Sequence, residues 1–201
     1  MSDLSASLGT LERNEATLRS QLPVATYFDE GLLRREEEII FQRGPRYLGH
    51  ALHVPEVGDY YALQHEGDGR ALVRGQDGIE LVSNVCRHRQ AVMLKGRGNC
   101  GGQIVCPLHR WTYSLDGRLL GAPHFDKDPG LDLRRYRTRG WNGMLFEDNG
   151  FDVAAALGSL DPNTKALLDF SGYVPDRVHV HECDYNWKTF IEVYLEDYHV
   201  G

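Results

Sequence analysis

Cys86-Arg87-His88 and Cys106-Pro107-Leu108-His109-Arg110-Trp111 decide how this chain is read. Each run puts one thiol and one imidazole within a few residues, and residues 89–105 separate the two. Cys-x-His and Cys-x-x-His both fit the tip of a tight loop. Two such tips facing each other bring two thiolates and two imidazoles onto one inorganic centre. Two chemistries use that donor set. A [2Fe-2S] cluster of the mixed kind takes two cysteines on one iron and two histidines on the other, and tetrahedral zinc also accepts Cys₂His₂. Zinc patterns usually pair cysteine with cysteine and histidine with histidine, whereas each pair here is mixed, which favours the cluster. Imidazoles in place of two thiolates leave the cluster less negative and easier to reduce.

The surroundings of the motifs narrow the reading. The run from Cys106 to Leu119, CPLHRWTYSLDGRL, resembles the second cluster loop and following hairpin of the Rieske non-haem iron oxygenases, the ring-hydroxylating type. Asp116-Gly117 reads as the hairpin turn, with glycine supplying the positive φ. The resemblance makes Cys86, His88, Cys106 and His109 the ligands of a Rieske [2Fe-2S] cluster and Trp111 an aromatic wall against it. One departure is Arg110, where the family usually has glycine. Rieske proteins of respiratory and photosynthetic chains carry a disulfide between the loops at positions matching Ala91 and Leu108, and a serine hydrogen-bonded to a cluster sulfur at the position of Trp111. Neither is available here. Hydrogen bonds to the sulfurs help set the potential, so a value near the bottom of the Rieske range, about −150 mV, is expected.

Composition fits that reading. Two of the four cysteines belong to the motifs, and Cys100 and Cys183 read as free thiols in a reducing compartment. No basic, apolar leader opens the chain and no run approaches membrane-spanning length, so a soluble cytoplasmic protein with no membrane partner is expected. A net charge of −7 disfavours nucleic acid as a partner.

Periodicity lays out an α+β protein in three parts. Residues 1–45 form an N-terminal helical segment: Leu11, Leu18 and Leu22 share one helical face, and Leu32, Leu33, Ile39 and Ile40 share another in a helix begun by Asp29. Residues 46–148 form the mostly antiparallel β cluster domain, with short strand-like runs such as Tyr60-Leu63, Ile79-Val82 and Met144-Phe146. Turns at Gly58-Asp59, Asp68-Gly69, Asp77-Gly78 and Asp116-Gly117 divide many of them. Residues 149–201 hold linker helices, one opening at Asp161-Pro162, a strand His179-Cys183, and the start of an α+β catalytic domain.

That last assignment rests on Asn186-Trp187-Lys188 and the helix expected after it. The segment resembles the start of the oxygenase catalytic domain, where an Asn-Trp-Lys run opens a helix carrying an acid and, three residues later, a histidine. Glu196 and His199 match them. The resemblance implies that His199 is one ligand of a mononuclear iron and that Glu196 bridges the two metal sites. The remaining ligands, a second histidine and a carboxylate, would lie beyond Gly201, so the chain reads as a portion of a longer enzyme. Without the cluster motif, the same helix reads as an amphipathic element with a solvated acidic face.

The resemblance implies a terminal oxygenase. A reductase, with or without a ferredoxin, would bring electrons from NADH or NADPH to the cluster. The iron would use O₂ to hydroxylate, dioxygenate or demethylate a small organic substrate, in a homotrimer with one subunit's cluster beside its neighbour's iron. The alternative is a stand-alone Rieske electron carrier, which needs only about half this length and leaves the segment from Phe151 onward without a purpose. Arg87, Arg89, Lys95, Arg97 and Arg110 collect around the motifs, either as a docking patch for an acidic electron carrier or as an ordinary solvated surface. Arg134, Arg135, Arg137 and Arg139 read as a protected edge strand. The other histidines, His50, His53, His65, His124, His179 and His181, read as structural or surface residues.

Overall fold

The computed structural model describes residues 22–195. Glu196 and His199 lie outside the described residues, as do Leu11 and Leu18. The chain divides into two compact units, Glu37–Glu182 and a smaller one built from the residues up to Glu36 together with those from Cys183 onward.

The larger unit is antiparallel β throughout its paired strands. A five-stranded sheet has the order β5-β2-β3-β4-β9, formed by Arg97–Asn99, Asp59–Ala62, Arg70–Arg74, Ile79–Ser83 and Arg135–Tyr136. A three-stranded sheet joins β1 (Tyr47–His50), β11 (Met144–Glu147) and β10 (Thr138–Trp141), and a second joins β6 (Gln103–Val105), β7 (Thr112–Ser114) and β8 (Leu119–Gly121). Side chains alternate along a strand, and the five-stranded sheet uses both faces. Ala71, Val73 and Val82 point into the core that surrounds the two motif cysteines, while Leu72 and Leu81 point into a second core with Leu48, Leu63 and Leu145. Each of these buried valines and leucines contributes roughly 1.5–3 kcal/mol. Arg70 fastens β3 to β11, donating to Glu66 at 2.6 Å and to Glu147 at 2.8 Å.

The predicted turns fall between strands or at their ends. At Gly117 (φ +88°), a Cβ would also come within 3.1 Å of Leu133 Cβ. The basic run 134–139 occupies sheet edges, as expected: Arg135 pairs with Glu80 at 2.8 Å and Arg139 with Asp152 at 2.9 Å. Asp161 caps α3 (Pro162–Leu167), accepting from the N–H groups of Asn163 and Thr164 at 3.0 and 3.1 Å. Before it comes the short helix α2 (Val153–Ala156).

Two expectations fail locally. His179–Cys183 is not a strand; its alternating pattern meets no partner edge, and the segment is exposed coil. The helix beginning near Asp29 is α1 (Glu30–Glu36), after which a π-helical turn, Glu37–Phe41, takes over with Gln42 N–H donating to Glu37 O. That wider turn leaves the 3.6-residue period. Ile39 and Ile40 therefore fall outside the α-helical register of Leu32 and Leu33, and are 46 % and 45 % exposed.

In the smaller unit, Asn186 opens α4 (Trp187–Leu195), its side chain accepting from Lys188 N–H at 3.1 Å and donating to Tyr27 O at 3.2 Å. Glu36 receives Lys188 Nζ at 2.8 Å and Trp187 Nε1 at 2.9 Å. These bonds, the lysine's foremost, hold the Glu36 carboxyl below its ordinary pKa. Among the described residues, no helix is long and apolar enough to cross a membrane.

Candidate cluster site

The two motif loops are built to one plan. In the first, which follows β4, Cys86 N–H donates to Ala91 O at 2.9 Å and Gln90 N–H returns to Cys86 O at 2.9 Å. In the second, which joins β6 to β7, Cys106 N–H donates to Trp111 O at 2.8 Å and Arg110 N–H returns to Cys106 O at 3.1 Å. Gln90 and Arg110 take the same left-handed conformation, with φ of +56° and +60°. A bridge between Val85 and Val92 closes the first loop, and the Val105–Thr112 pair closes the second. Glycine adopts that φ freely, whereas a residue with a Cβ carries a penalty of roughly 1–2 kcal/mol. Arg110, the departure from the family pattern, therefore keeps the backbone shape under strain.

These matched loops put the two motif cysteines in one core and the two motif histidines in ring contact. Cys86 and Cys106 are 1 % and 2 % exposed and share one core with Trp111 and Tyr113. The rings of His88 and His109 meet edge to face, 4.8 Å between centroids, with His109 exposed to solvent. Trp111 lies flat on His88, at 5.1 Å and 4°. Nδ1 of His88 and Nε1 of Trp111 are buried with no hydrogen-bond partner among the described residues. Burial, with His109 and Arg89 nearby, pushes the His88 pKa down and favours the neutral imidazole that a metal requires.

Three residues that the motifs did not single out complete the site. The Tyr113 hydroxyl lies 3.5 Å from Cys86 Sγ and accepts Arg87 N–H at 3.2 Å, which leaves its own proton free for the sulfur. Tyr113 follows Trp111 by two residues, and alternate residues of extended chain share a face, so Trp111 already pointed to Tyr113. Asn84 is fully buried, and its amide accepts from Leu94 N–H at 2.8 Å while donating to Leu94 O at 2.7 Å and Asp68 O at 2.9 Å. One side chain thus pins both ends of the first loop; a lone amide ending the apolar run Leu81-Val82 was the available signal. Phe125 stands edge-on to Trp111 at 5.2 Å, from an irregular loop whose sequence carries no periodicity.

The remaining histidines stay apart from this centre or serve the fold. His50 is satisfied at both nitrogens, bonding Phe170 O at 2.8 Å and Leu52 N–H at 3.1 Å. His53 is buried against Tyr61, and desolvation, followed by Arg97 and His50, lowers its pKa. For Arg87, Arg89, Lys95, Arg97 and Arg110, no ion pair with a carboxylate forms among the described residues, and all five are exposed.

Residues 46–137 match the family model of the Rieske [2Fe-2S] domain. Across 200 residues and the whole chain, the sequence is 58 % identical to putrescine 2-hydroxylase of Ralstonia nicotianae, and over 197 residues it is 55 % identical to putrescine 2-hydroxylase of Bordetella bronchiseptica. The chain carries a Rieske [2Fe-2S] domain and is similar along its length to Rieske oxygenase subunits. It spans about half the length of the curated relatives it matches, 52 % and 45 % of these two. Among solved structures, the quaternary ammonium Rieske monooxygenase CntA with γ-butyrobetaine aligns at a TM-score of 0.67 and 25 % identity, covering 90 % of this chain and 55 % of that one. The cofactors of the family are the Rieske cluster and a non-haem iron. The donor set fits the cluster: two buried thiols share one core, and two imidazoles meet each other, one exposed and one with a buried, orphaned ring nitrogen.

Proposed function

We propose that this chain is the cluster-bearing part of a terminal oxygenase that hydroxylates a small aliphatic diamine of the putrescine type. The observation that carries the reading is the 58 % identity to a putrescine 2-hydroxylase over the whole chain, well beyond the cluster domain. A stand-alone carrier would give no reason for identity to continue through residues 149–201. The same relatives favour an aliphatic amine over an aromatic ring as substrate.

In this reading Cys86 and Cys106 hold one iron of the cluster, and His88 and His109 hold the other. Residues 1–45, 46–148 and 149–201 are the helical lead, the Rieske domain and the start of the catalytic domain. Glu196 is the acid between the metal sites and His199 an iron ligand. When bound, the cluster takes up single electrons, and the mononuclear iron supplies the O₂ chemistry. The protein's own part is positional. The buried cysteines anchor the centre, Tyr113 donates to a thiolate, and Trp111 fixes the plane of His88. Exposed His109 offers the short way in and out for electrons. A reductase, with or without a ferredoxin, brings these from NADH or NADPH; the five cations around the loops form its docking patch, and the enzyme works as a cytoplasmic homotrimer.

The test is turnover by the full-length protein with a reductase, NADH and O₂. The expected result is consumption of putrescine with a product heavier by one oxygen atom. Turnover of an aromatic acid or a quaternary ammonium compound, with putrescine untouched, would overturn the substrate reading.

A further inference from the structure

Phe125 has no role in the motifs, yet it touches both rings that flank the cluster site. It stands edge-on to Trp111 at 5.2 Å and 89°, and edge-on to His88 at 6.1 Å and 87°. Its backbone is held for this: Phe125 N–H donates to Ala122 O at 3.1 Å, and His124 just before it takes φ +70°, a conformation that costs a non-glycine residue roughly 1–2 kcal/mol. The loop accepts that strain while leaving Phe125 48 % exposed, so burial of the phenylalanine itself is poor compensation. What the arrangement achieves is an enclosure: Trp111 covers one face of His88 and Phe125 stands edge-on against the same ring.

The physical consequence concerns charge. Adding one electron makes the centre more negative, and water stabilises the added charge where hydrocarbon does not. Apolar cover over a ligand therefore disfavours the reduced state. We propose that Phe125 is a positioning residue for electron transfer, one that closes the enclosure around His88, keeps its imidazole plane fixed and holds the cluster potential low by excluding water. The inference rests on the Rieske reading and adds a residue to it.

Redox titration of the full-length protein, followed by visible absorption, tests it. At the wild-type midpoint, Phe125→Ala is expected to raise the ratio of reduced to oxidised cluster about threefold, roughly 28 mV at 59 mV per tenfold for one electron. Phe125→Leu, which restores apolar bulk, should return most of the shift. Leu120→Ala removes an equally exposed apolar side chain from the neighbouring strand, 50 % exposed, and should leave the midpoint where it was. Phe125 belongs to neither core, so its removal should leave the fold intact by circular dichroism. An unmoved midpoint in Phe125→Ala, or an equal shift in Leu120→Ala, would overturn the proposal. A wild-type protein with no Rieske spectrum overturns the reading beneath it instead, so the two failures are distinguishable.

Discussion

Tyr113 shows how one hydroxyl acts on the centre. Arg87 N–H occupies its oxygen, so its proton is directed at Cys86 Sγ. A hydrogen bond to a thiolate favours the more electron-rich, reduced state. If the preference is about 1 kcal/mol, Tyr113→Phe lowers the midpoint by about 40 mV at 59 mV per tenfold; potentiometric titration checks both sign and size. Trp111 stands where the Rieske proteins of respiratory and photosynthetic chains have a serine, and Tyr113 is a side-chain hydroxyl that the structure brings to a motif sulfur, a bond that the sequence-based expectation of a low potential did not include. At this scale the sequence was partly legible. The ligand types and Trp111 announced themselves, and the two-residue period from Trp111 pointed to Tyr113. The left-handed φ of Gln90 and Arg110 did not, because neither side chain advertises a conformation that the closing hydrogen bonds impose.

Among the elements, the two cluster loops share a plan but are secured differently. The second is a hairpin held by the β6–β7 ladder. The first is a longer excursion between β4 and β5; Asn84 ties its ends with two hydrogen bonds to Leu94 and anchors them to Asp68 O with a third. Asn84→Leu conserves volume but strands two groups of Leu94 and one of Asp68, at a cost of about 3 kcal/mol. The expected outcome is a lower denaturation midpoint together with iron content below wild type, measured on the same preparation. Strand runs were legible at Tyr60–Leu63, Ile79–Val82 and Met144–Phe146, which fall on β2, β4 and β11, and the Asp-Gly and Gly-Asp pairs marked turns. The misread segments have identifiable causes. His179–Cys183 alternates like a strand but has no edge to join, and a π turn shifts the period after Glu36.

For the whole molecule, charge is distributed unevenly. The chain carries −7 overall, yet five exposed cations gather around the cluster loops. Reversing Arg89 and Arg110 to Glu should slow reduction by an acidic donor several-fold and flatten its dependence on ionic strength, since steering is screened within about 10 Å at 0.1 M salt. Stopped-flow reduction at several salt concentrations reads both effects, with an unchanged midpoint showing that the cluster itself is undisturbed. The antiparallel cluster domain was legible because its motif names a fold. The substrate was not legible; the diamine reading came from relatives.

The central claim is that Cys86, His88, Cys106 and His109 hold a mixed-ligand [2Fe-2S] centre and not zinc. Metal and sulfide analysis of the purified full-length protein, with EPR before and after one-electron reduction, tests it most directly. The account predicts two irons and two acid-labile sulfides for each such centre, beyond any iron of the catalytic site, with no cluster signal in the oxidised protein and a paramagnetic one on reduction. Replacing Cys106 by Ser should abolish that signal. Stoichiometric zinc in a colourless, EPR-silent protein would contradict the account.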